Sequence, residues 1–259
     1  MGRRRNSNRR RRGSFGFLYK LLSMLVICGA IVAAMTLFFR VDTIVVTGQQ
    51  RYTQQEVIDA TGIQSGDNLF LLNKYSVANN IVSALPYIDI EEVWIRRKLP
   101  DTLLIDVGEC GTPMAVIQEG SAWLISPKGK IVEQKAASAS LDCGVIDGCQ
   151  LLAPSVGTQM ALATEYANQQ GSLLSLLGAL EEAGMLEKVD AIHLEDLSTL
   201  SMDYDGRFTV QLSYGADYAQ KLRALRQILE ESGAIQDNMT GTFDMRRDDG
   251  KVNLIQNVR

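Results

Sequence analysis

The chain has 259 residues, of which 46% are apolar and 22% charged, and its formal net charge is −4. This length fits one large domain or two small ones, and so many apolar residues exclude a wholly disordered chain. The charge is uneven: residues 1–39 hold seven arginines, one lysine and no acid, which leaves 18 basic and 30 acidic side chains in residues 40–259. The two parts therefore suit different electrostatic surroundings.

The first predicted element is an apolar helix over residues 21–39, nineteen residues without a charge. At 1.5 Å per residue such a helix is about 28 Å long, which matches the hydrocarbon core of a bilayer. The basic tail, residues 1–20, precedes it, and only Arg40 follows at once. The positive-inside rule therefore predicts a cytoplasmic amino terminus and exported residues after Arg40.

Other interpretations of this amino-terminal part stay open. The apolar segment could be a cleaved signal peptide with the triplet Val32-Ala33-Ala34, although it is long for one. A lipoprotein signal at Cys28 is disfavoured because the bulky Ile27 precedes the cysteine. The arginines could bind nucleic acid, but orientation of the helix and attraction to anionic lipid explain them more simply.

The exported part opens with predicted elements in the order strand, helix, helix, strand, strand. The first helix starts at a capping box, Thr53–Glu56, and Gly62 ends it. Pro86 stops the second helix, and a hairpin joined by a basic turn follows. The elements are a strand over 41–46, helices over 53–62 and from about 76 to 85, and strands over 88–95 and 103–107.

Beyond residue 110 the sequence predicts a mixture of strands and helices. A stripe of leucines, from Leu173 to Leu180, indicates a helix that Gly184 ends, and a second amphipathic helix covers 216–232. Asp205-Gly206 is a hairpin turn. The strands are predicted at 122–125, 130–132, 189–194, 200–204 and 207–212 and, near the end, at 240–246 and 251–256.

The sequence shows no pattern of catalytic or metal-binding residues. His193 is the only histidine; it has no cysteine or serine partner nearby, and no Gly-x-Ser-x-Gly elbow accompanies it. The acidic turns 203–206 and 244–250 lack the spacing of an EF-hand calcium loop. Cys143 and Cys149 could pair across a short turn, which the sequence leaves open. We expect no catalytic residue, no metal and no cofactor.

Six segments together resemble the FtsQ/DivIB family of bacterial division proteins. VDTIVVTG (41–48), GDNLFLL (66–72) and residues 81–109 resemble the POTRA domain of that family. The later strands and closing helix of the family are similar to VIDG (145–148), KLRALRQIL (221–229) and GTFDMRRDDGKV (241–252). One departure is Cys110-Gly111-Thr112, where the family passes more directly into its next strand.

The resemblance implies an α+β fold with a single amino-terminal transmembrane helix. A POTRA domain of order β-α-α-β-β follows, and then a mixed α/β carboxyl-terminal domain with a curved, mainly antiparallel sheet. The implied divisions are a basic cytoplasmic tail (1–20), the transmembrane helix (21–39), the POTRA domain (40–110) and the carboxyl-terminal β domain (111–259).

The implied function is a non-enzymatic, single-pass scaffold of the divisome at the division septum. Its expected partners are small single-span coiled-coil proteins of the FtsB/DivIC and FtsL type and the septal wall synthase complex. Membrane lipid is the other expected contact, and neither nucleic acid nor a small-molecule substrate is expected. The alternatives are a membrane-tethered cell-wall enzyme and a POTRA-type transport or assembly component.

By position, the resemblance puts the partner contact at the sheet edge near the carboxyl terminus. Backbone groups of an edge strand would bind a strand of the partner. The predicted residues are Phe243, Asp244, Met245, Arg246, Arg247, Lys251, Val252 and Leu254. A simpler interpretation places Phe243 and Met245 in the core, and alternation of side chains makes the two interpretations compatible.

A second candidate contact is the basic cluster Arg96, Arg97 and Lys98. It would meet acidic groups on a partner or the surface of anionic lipid. The simpler interpretation is a solvated turn.

Overall fold

The structure, a computed structural model, describes residues 15–230, 239–247 and 252–256. Its helices are α1 (Phe15–Phe38), α2 (Gln54–Thr61), α3 (Lys74–Ala84), α4 (Ala167–Glu182) and α5 (Tyr218–Glu230). Its strands are β1 (Thr43–Thr47), β2 (Trp94–Lys98), β3 (Thr102–Asp106), β4 (Met114–Gln118), β5 (Ser121–Ile125), β6 (Ile131–Ala136), β7 (Val145–Asp147), β8 (Val189–His193), β9 (Thr199–Tyr204), β10 (Phe208–Ser213), β11 (Gly241–Asp244) and β12 (Asn253–Gln256). The predicted α+β fold class is confirmed.

The amino-terminal helix α1 is longer than the predicted span 21–39: it begins at Phe15 and ends at Phe38. Its segment Gly16–Phe38 is long and apolar enough to cross a membrane, and its side chains are not buried against the rest of the chain. A helix that is apolar on all sides and lacks protein cover needs an apolar surrounding. This arrangement fits a single membrane pass.

The first folded unit is a three-stranded sheet with the order β1-β3-β2, covered by α2 and α3. β1 pairs parallel with β3, and β2 pairs antiparallel with β3. A parallel pair needs a long crossover, which the two helices supply. Val57 and Ile81 from the helices pack with Leu103 and Ile105 from β3 in its core. The predicted order β-α-α-β-β is confirmed.

Two predicted element boundaries in this unit are wrong. The strand predicted over 88–95 starts only at Trp94, because a short 3₁₀ helix, Ile90–Glu92, precedes it; the side chain of Asp89 caps that helix by accepting a hydrogen bond from the Glu91 amide. α3 begins at Lys74 rather than near Ser76, because the Asn73 side chain caps its first turn.

The second folded unit is a nine-stranded sheet with the order β12-β11-β10-β9-β8-β7-β4-β5-β6. Three neighbouring pairs are parallel, namely β4–β7, β7–β8 and β10–β11, and the others are antiparallel. α4 and α5 pack on one face, where leucines of both helices join the buried core of the sheet. β4 was not predicted: its first three residues are all buried, so it lacks the alternation typical of a half-exposed strand.

The two units make direct contact. The Tyr87 hydroxyl donates to the Glu133 carboxylate over 2.6 Å, and Lys128 forms ion pairs with Asp89 and Glu91. The 110–112 segment, the departure from the family pattern, continues from the first unit without regular secondary structure. There the Cys110 amide donates to the Tyr87 carbonyl over 2.8 Å, which fixes the segment beside this contact.

The capping box predicted from the sequence is present in full, and it generates a stability prediction. The Glu56 amide donates to Thr53 Oγ1 over 3.2 Å, and Glu56 Oε2 accepts from the Thr53 amide over 2.8 Å. Thr53→Ala removes the first of these bonds, so we expect a loss of about 1 kcal/mol in the free energy of unfolding.

Urea unfolding of the whole chain in detergent micelles, followed by circular dichroism, measures this loss. The exposed neighbour Gln54 offers a matched control, since Gln54→Ala leaves the box intact and should change stability by less than about 0.5 kcal/mol. Equal stability of the two variants would contradict the role of the box.

Candidate functional site

The carboxyl-terminal edge of the nine-stranded sheet carries most of the predicted contact residues. β12 ends the strand order of the described residues, and it pairs antiparallel with β11 only. We call Val252 together with β12 the terminal edge. β11 lies between β10 and β12, so the predicted strand 240–246 is an inner strand and the edge lies one strand further out.

The direction of the backbone groups on the terminal edge follows from two hydrogen bonds of β11. The Gly241 amide donates to the carbonyl of Arg207, the residue before β10, over 3.3 Å, and the amide of Met245, the residue after β11, donates to the Gln211 carbonyl on β10 over 2.9 Å. Because successive backbone groups alternate between the two sides of a strand, Thr242 and Asp244 face β12 instead.

The same alternation continues onto β12. Thr242 lies opposite Ile255, and Asp244 lies opposite Asn253, so these two residues of β12 turn their backbone groups toward β11. Leu254 lies between them, and its amide and carbonyl therefore point away from β11. The terminal edge thus presents the backbone of Leu254 outward.

The side chains of the same residues are distributed differently from their backbone groups. Phe243 is fully buried, with its ring centroid 5.1 Å from that of Phe208, and Met245 is also buried. Val252 and Leu254 are half-buried against the same core. Ile255, which was not predicted, projects from the opposite face and is 58% exposed. The sequence could have predicted this exposure, because Ile255 follows Leu254 directly and adjacent side chains of a strand point to opposite faces.

Asp244 and Arg246 form an ion pair on the surface. Arg246 Nη2 lies 2.7 Å from Asp244 Oδ2, and the hydrogen bond from the guanidinium lowers the pKa of Asp244 to about 2. Arg246 remains half-exposed, so one flank of the pair faces solvent. A partner would meet a charge-compensated pair rather than a free cation at this position.

Two side chains hold the segment that follows β11. Ser213 Oγ donates to the Arg246 carbonyl over 2.8 Å. Lys221 Nζ, on α5, donates to the carbonyls of Met245 and Arg247 over 2.6 Å and 3.0 Å. The predicted residue Lys251 lies outside the described residues. The other predicted residues of this site lie next to one another on β11, on the segment after it and on the terminal edge.

Comparisons with known proteins agree with this architecture. Residues 39–109 match the family model for the POTRA domain, FtsQ-type. The cell division protein FtsQ of Geotalea daltonii is 28% identical over 206 residues, which cover 77% of this chain and 70% of that protein. FtsQ of an Anaeromyxobacter species is 28% identical over 73% of this chain and 62% of its own length. The cell division protein DivIB of Clostridium tetani is 23% identical over 70% of this chain and 65% of its own length.

The chain carries an FtsQ-type POTRA domain, and over 70–77% of its length it is similar to proteins named FtsQ and DivIB. These relatives are named cell division proteins, and the similarity supports a role for this chain in cell division, together with other proteins of the division complex.

The second candidate contact, Arg96 to Lys98, lies in a strand and not in a turn. The three residues form the second half of β2, an edge of the POTRA sheet. Arg96 and Lys98 are exposed, but Arg97 turns inward and donates to the carbonyls of Leu69 and Leu72 over 2.6 Å and 2.8 Å. The cluster therefore divides into two surface cations and one structural arginine.

The three cysteines that follow α1 are free thiols in the structure. Cys149 packs against the core of the nine-stranded sheet, whereas Cys143 and Cys110 pack against a separate cluster at the contact between the two units. Burial raises the pKa of Cys110 to about 11 and that of Cys149 to about 12, so both thiols are neutral near pH 7. The pairing of Cys143 with Cys149, which the sequence left open, is not formed in the structure.

His193 lies on the helix-free face of the large sheet between two carboxylates. Nδ1 is 2.7 Å from Asp147 Oδ1, and Nε2 is 3.1 Å from Asp203 Oδ2. A neutral imidazole carries a single N–H, so donation to both carboxylates requires the protonated ring. Burial lowers the pKa of His193, but the hydrogen bonds to Asp203 and Asp147 outweigh it and raise the pKa overall. The arrangement is that of a charged cross-strand clamp.

This clamp generates a pH-dependent prediction. A raised folded-state pKa means that the stabilisation is fully present below the unfolded value of about 6.5 and is lost as the pH rises through the folded-state pKa. We expect His193→Gln to destabilise the protein by up to about 1 kcal/mol at pH 5.5, as for a partly exposed ion pair, and by less at pH 9.

Urea unfolding of both proteins at the two pH values measures the difference. His193 is the only histidine, and the two proteins share all their other titratable groups. A pH-dependent difference in stability between them therefore reports on His193. A stability difference that stays constant between pH 5.5 and pH 9 would contradict the protonated clamp.

Proposed function

We propose that the chain is a non-enzymatic, single-pass scaffold of the bacterial divisome that binds other septal division proteins through its terminal edge. The observation that carries this proposal is the outward-facing backbone of Leu254 on the last strand of the sheet, in a chain that is similar to cell division proteins. Such a strand binds another strand through main-chain hydrogen bonds, and the flanking side chains select the sequence.

The side chains of the terminal edge support this mode of binding. Val252 and Leu254 pack inward and hold the strand in place, while Ile255 projects from the other face as an apolar contact for a partner. The half-exposed Arg246 lies nearby at the end of β11 and adds a charged neighbour. The added strand would therefore gain backbone hydrogen bonds, one apolar contact and a polar rim.

The proposed topology places residues 1–20 in the cytoplasm and the part of α1 from residue 21 onward across the cell membrane, with the POTRA domain (40–110) and the carboxyl-terminal β domain (111–259) outside. The arginines before α1 and the acidic balance after it support this orientation. A membrane anchor confines the chain and its partners to two dimensions and raises their effective concentration. Contacts at the terminal edge can then be weak individually and still assemble.

The proposed partners are single-span coiled-coil proteins of the FtsB/DivIC and FtsL type, with the septal wall synthase complex nearby. A segment of such a partner outside its coiled coil can add as a strand when it is extended. The exposed Arg96 and Lys98 on the edge of the POTRA sheet form the second candidate contact.

Depletion in cells tests the proposed role. Loss of a septal scaffold stops constriction while growth continues, so we expect long filaments with unconstricted septa. The measurement is cell length and septum morphology by microscopy, and a plasmid copy of the gene should restore division. Depleted cells that divide at normal length would contradict the divisome role.

Leu254→Pro tests the terminal edge, because proline removes the outward amide of this residue. Leu254→Ala is the matched control: it loses the same side-chain packing and keeps the amide. We expect binding of the coiled-coil partner to the proline variant to be about tenfold weaker than to the alanine variant, which corresponds to roughly one hydrogen bond.

The affinities are measured with purified proteins in detergent, and circular dichroism and the unfolding midpoint show that both variants keep the fold. Equal affinities with equal folding would mean that the edge backbone does not bind the partner.

A further inference from the structure

An apolar surface is exposed on the POTRA domain beside the end of α1. The loop 68–72 carries Phe70 and Leu71, of which Leu71 is 78% exposed. Tyr75, in the first turn of α3, is 73% exposed. A single exposed apolar side chain is ordinary on a protein surface, but three of them within six residues form a patch.

The loop that presents this patch is held in place by polar tethers. Asn68 Oδ1 accepts from the amides of Phe70 and Leu71 over 2.9 Å and 3.3 Å. On its other side the Arg97 guanidinium donates to the carbonyls of Leu69 and Leu72. Because both ends of the loop are bonded to the domain, the exposure of Leu71 is a fixed feature of the fold.

The same loop is bonded to the last turn of α1. Asn68 Nδ2 donates to the Met35 carbonyl over 3.0 Å, and the Leu69 amide donates to the Phe39 carbonyl over 2.8 Å. The rings of Phe39 and Phe70 meet edge to face with centroids 4.9 Å apart. The patch therefore lies at the level of the carboxyl-terminal end of the helix.

The length of α1 sets the depth of that level in a bilayer. Lys20 is the last charged residue before the apolar stretch, and at 1.5 Å per residue the helix from there to Phe38 is about 27 Å long, close to the hydrocarbon thickness of about 30 Å. The last turn of the helix, from Met35 to Phe38, then lies at the outer boundary between hydrocarbon and headgroups. Groups bonded to this turn occupy the interfacial zone, where tyrosine and other amphipathic aromatic side chains are favoured.

The tip of the β2–β3 hairpin lies at the same end of the domain. Four residues separate the end of α1 from β1, which runs parallel to β3, so the start of β3 is also near the helix end. The Asp42 amide donates to the Asp101 carbonyl over 3.0 Å, which joins the two. At this tip Leu99 is 56% exposed and Lys98 is exposed beside it.

Exposed cations at this end lie beside the acids Asp42 and Asp101 and can meet the phosphates of lipid headgroups. Arg40 follows α1, Lys74 opens α3 and Lys98 lies at the hairpin tip, and all three are exposed. Lysine and arginine side chains beside an apolar patch place their cations among lipid headgroups while their stems remain in the apolar zone.

We infer that the POTRA domain lies on the outer surface of the bilayer, with Phe70, Leu71 and Leu99 inserted at the level of the headgroups. The lipid is the partner of this patch because the loop that carries it is bonded to Met35 in the last turn of the helix and to Phe39 directly after it. The domain would then be oriented by the membrane, with its far end and the large sheet held outward toward partners. This inference rests on the proposed membrane span of α1.

Fluorescence quenching by brominated lipid tests the inference on the whole chain. Leu71→Trp is reconstituted in vesicles of phosphatidylcholine and phosphatidylglycerol whose acyl chains carry bromine near the headgroup. The matched control is Leu197→Trp, because Leu197 is 77% exposed and lies on the loop between β8 and β9. The emission of the parent chain, with its natural Trp94 and Trp123, is subtracted from each.

We expect the tryptophan at position 71 to emit at shorter wavelength than the one at position 197 and to be quenched at least twofold more strongly by the brominated lipid. A tryptophan placed in the middle of α1, Leu25→Trp, reports the membrane span separately, in vesicles whose acyl chains carry bromine near the bilayer centre. If position 25 is quenched by deep bromines and position 71 behaves like position 197, the surface contact is wrong and the span stands.

If position 25 is not quenched either, the membrane span itself is wrong, and the inference falls with it. A blue-shifted tryptophan at position 71 that brominated lipid does not quench would mean that a second copy of the chain covers the patch. That result would also overturn the assignment to lipid.

Discussion

The parallel pairing of β11 with β10 controls what the carboxyl-terminal end of this protein offers to a partner. Alternate residues of β11 point their backbone groups toward β10. The residues between them, Thr242 and Asp244, therefore pair with β12. The backbone amide and carbonyl of Leu254 therefore point outward, while its side chain packs on the core. An edge that is anchored by side chains and open through its backbone is well suited to strand addition.

Neighbouring residues in this protein have separate roles because strands and loops turn them in different directions. In the basic cluster, Arg97 is a structural residue that fixes the loop 68–72, whereas Arg96 and Lys98 face solvent. At the other end of the molecule, Phe243 is part of the core while Asp244 pairs with Arg246 at the surface. The predicted contact was a run of consecutive residues. Because neighbouring residues face opposite ways, only about every second side chain in that run is available to a partner, together with a row of backbone groups.

Several elements could be predicted because their signals are local. The Thr53–Glu56 box starts α2, and Gly62 ends it in the left-handed conformation at φ 70°, which glycine adopts without strain. Other elements depended on contacts that are distant in the sequence. β4 lies between β5 and β7 and is buried from its first residue, so its sequence has no strand alternation. The apolar pattern predicted a strand that began earlier than β2, but a 3₁₀ helix occupies those residues in the structure.

The sequence by itself determined the apolar helix, the order of elements in the POTRA domain and the family resemblance, because these follow from local periodicity, caps and residue order. Only the tertiary structure decided which strand is the outermost one and which way Leu254 faces, since hydrogen-bond partners on β10 and β11 set both. It also decided that the loop 68–72 meets the end of α1. That contact joins residues more than thirty positions apart through Asn68 and Met35, and no local pattern in either segment encodes it.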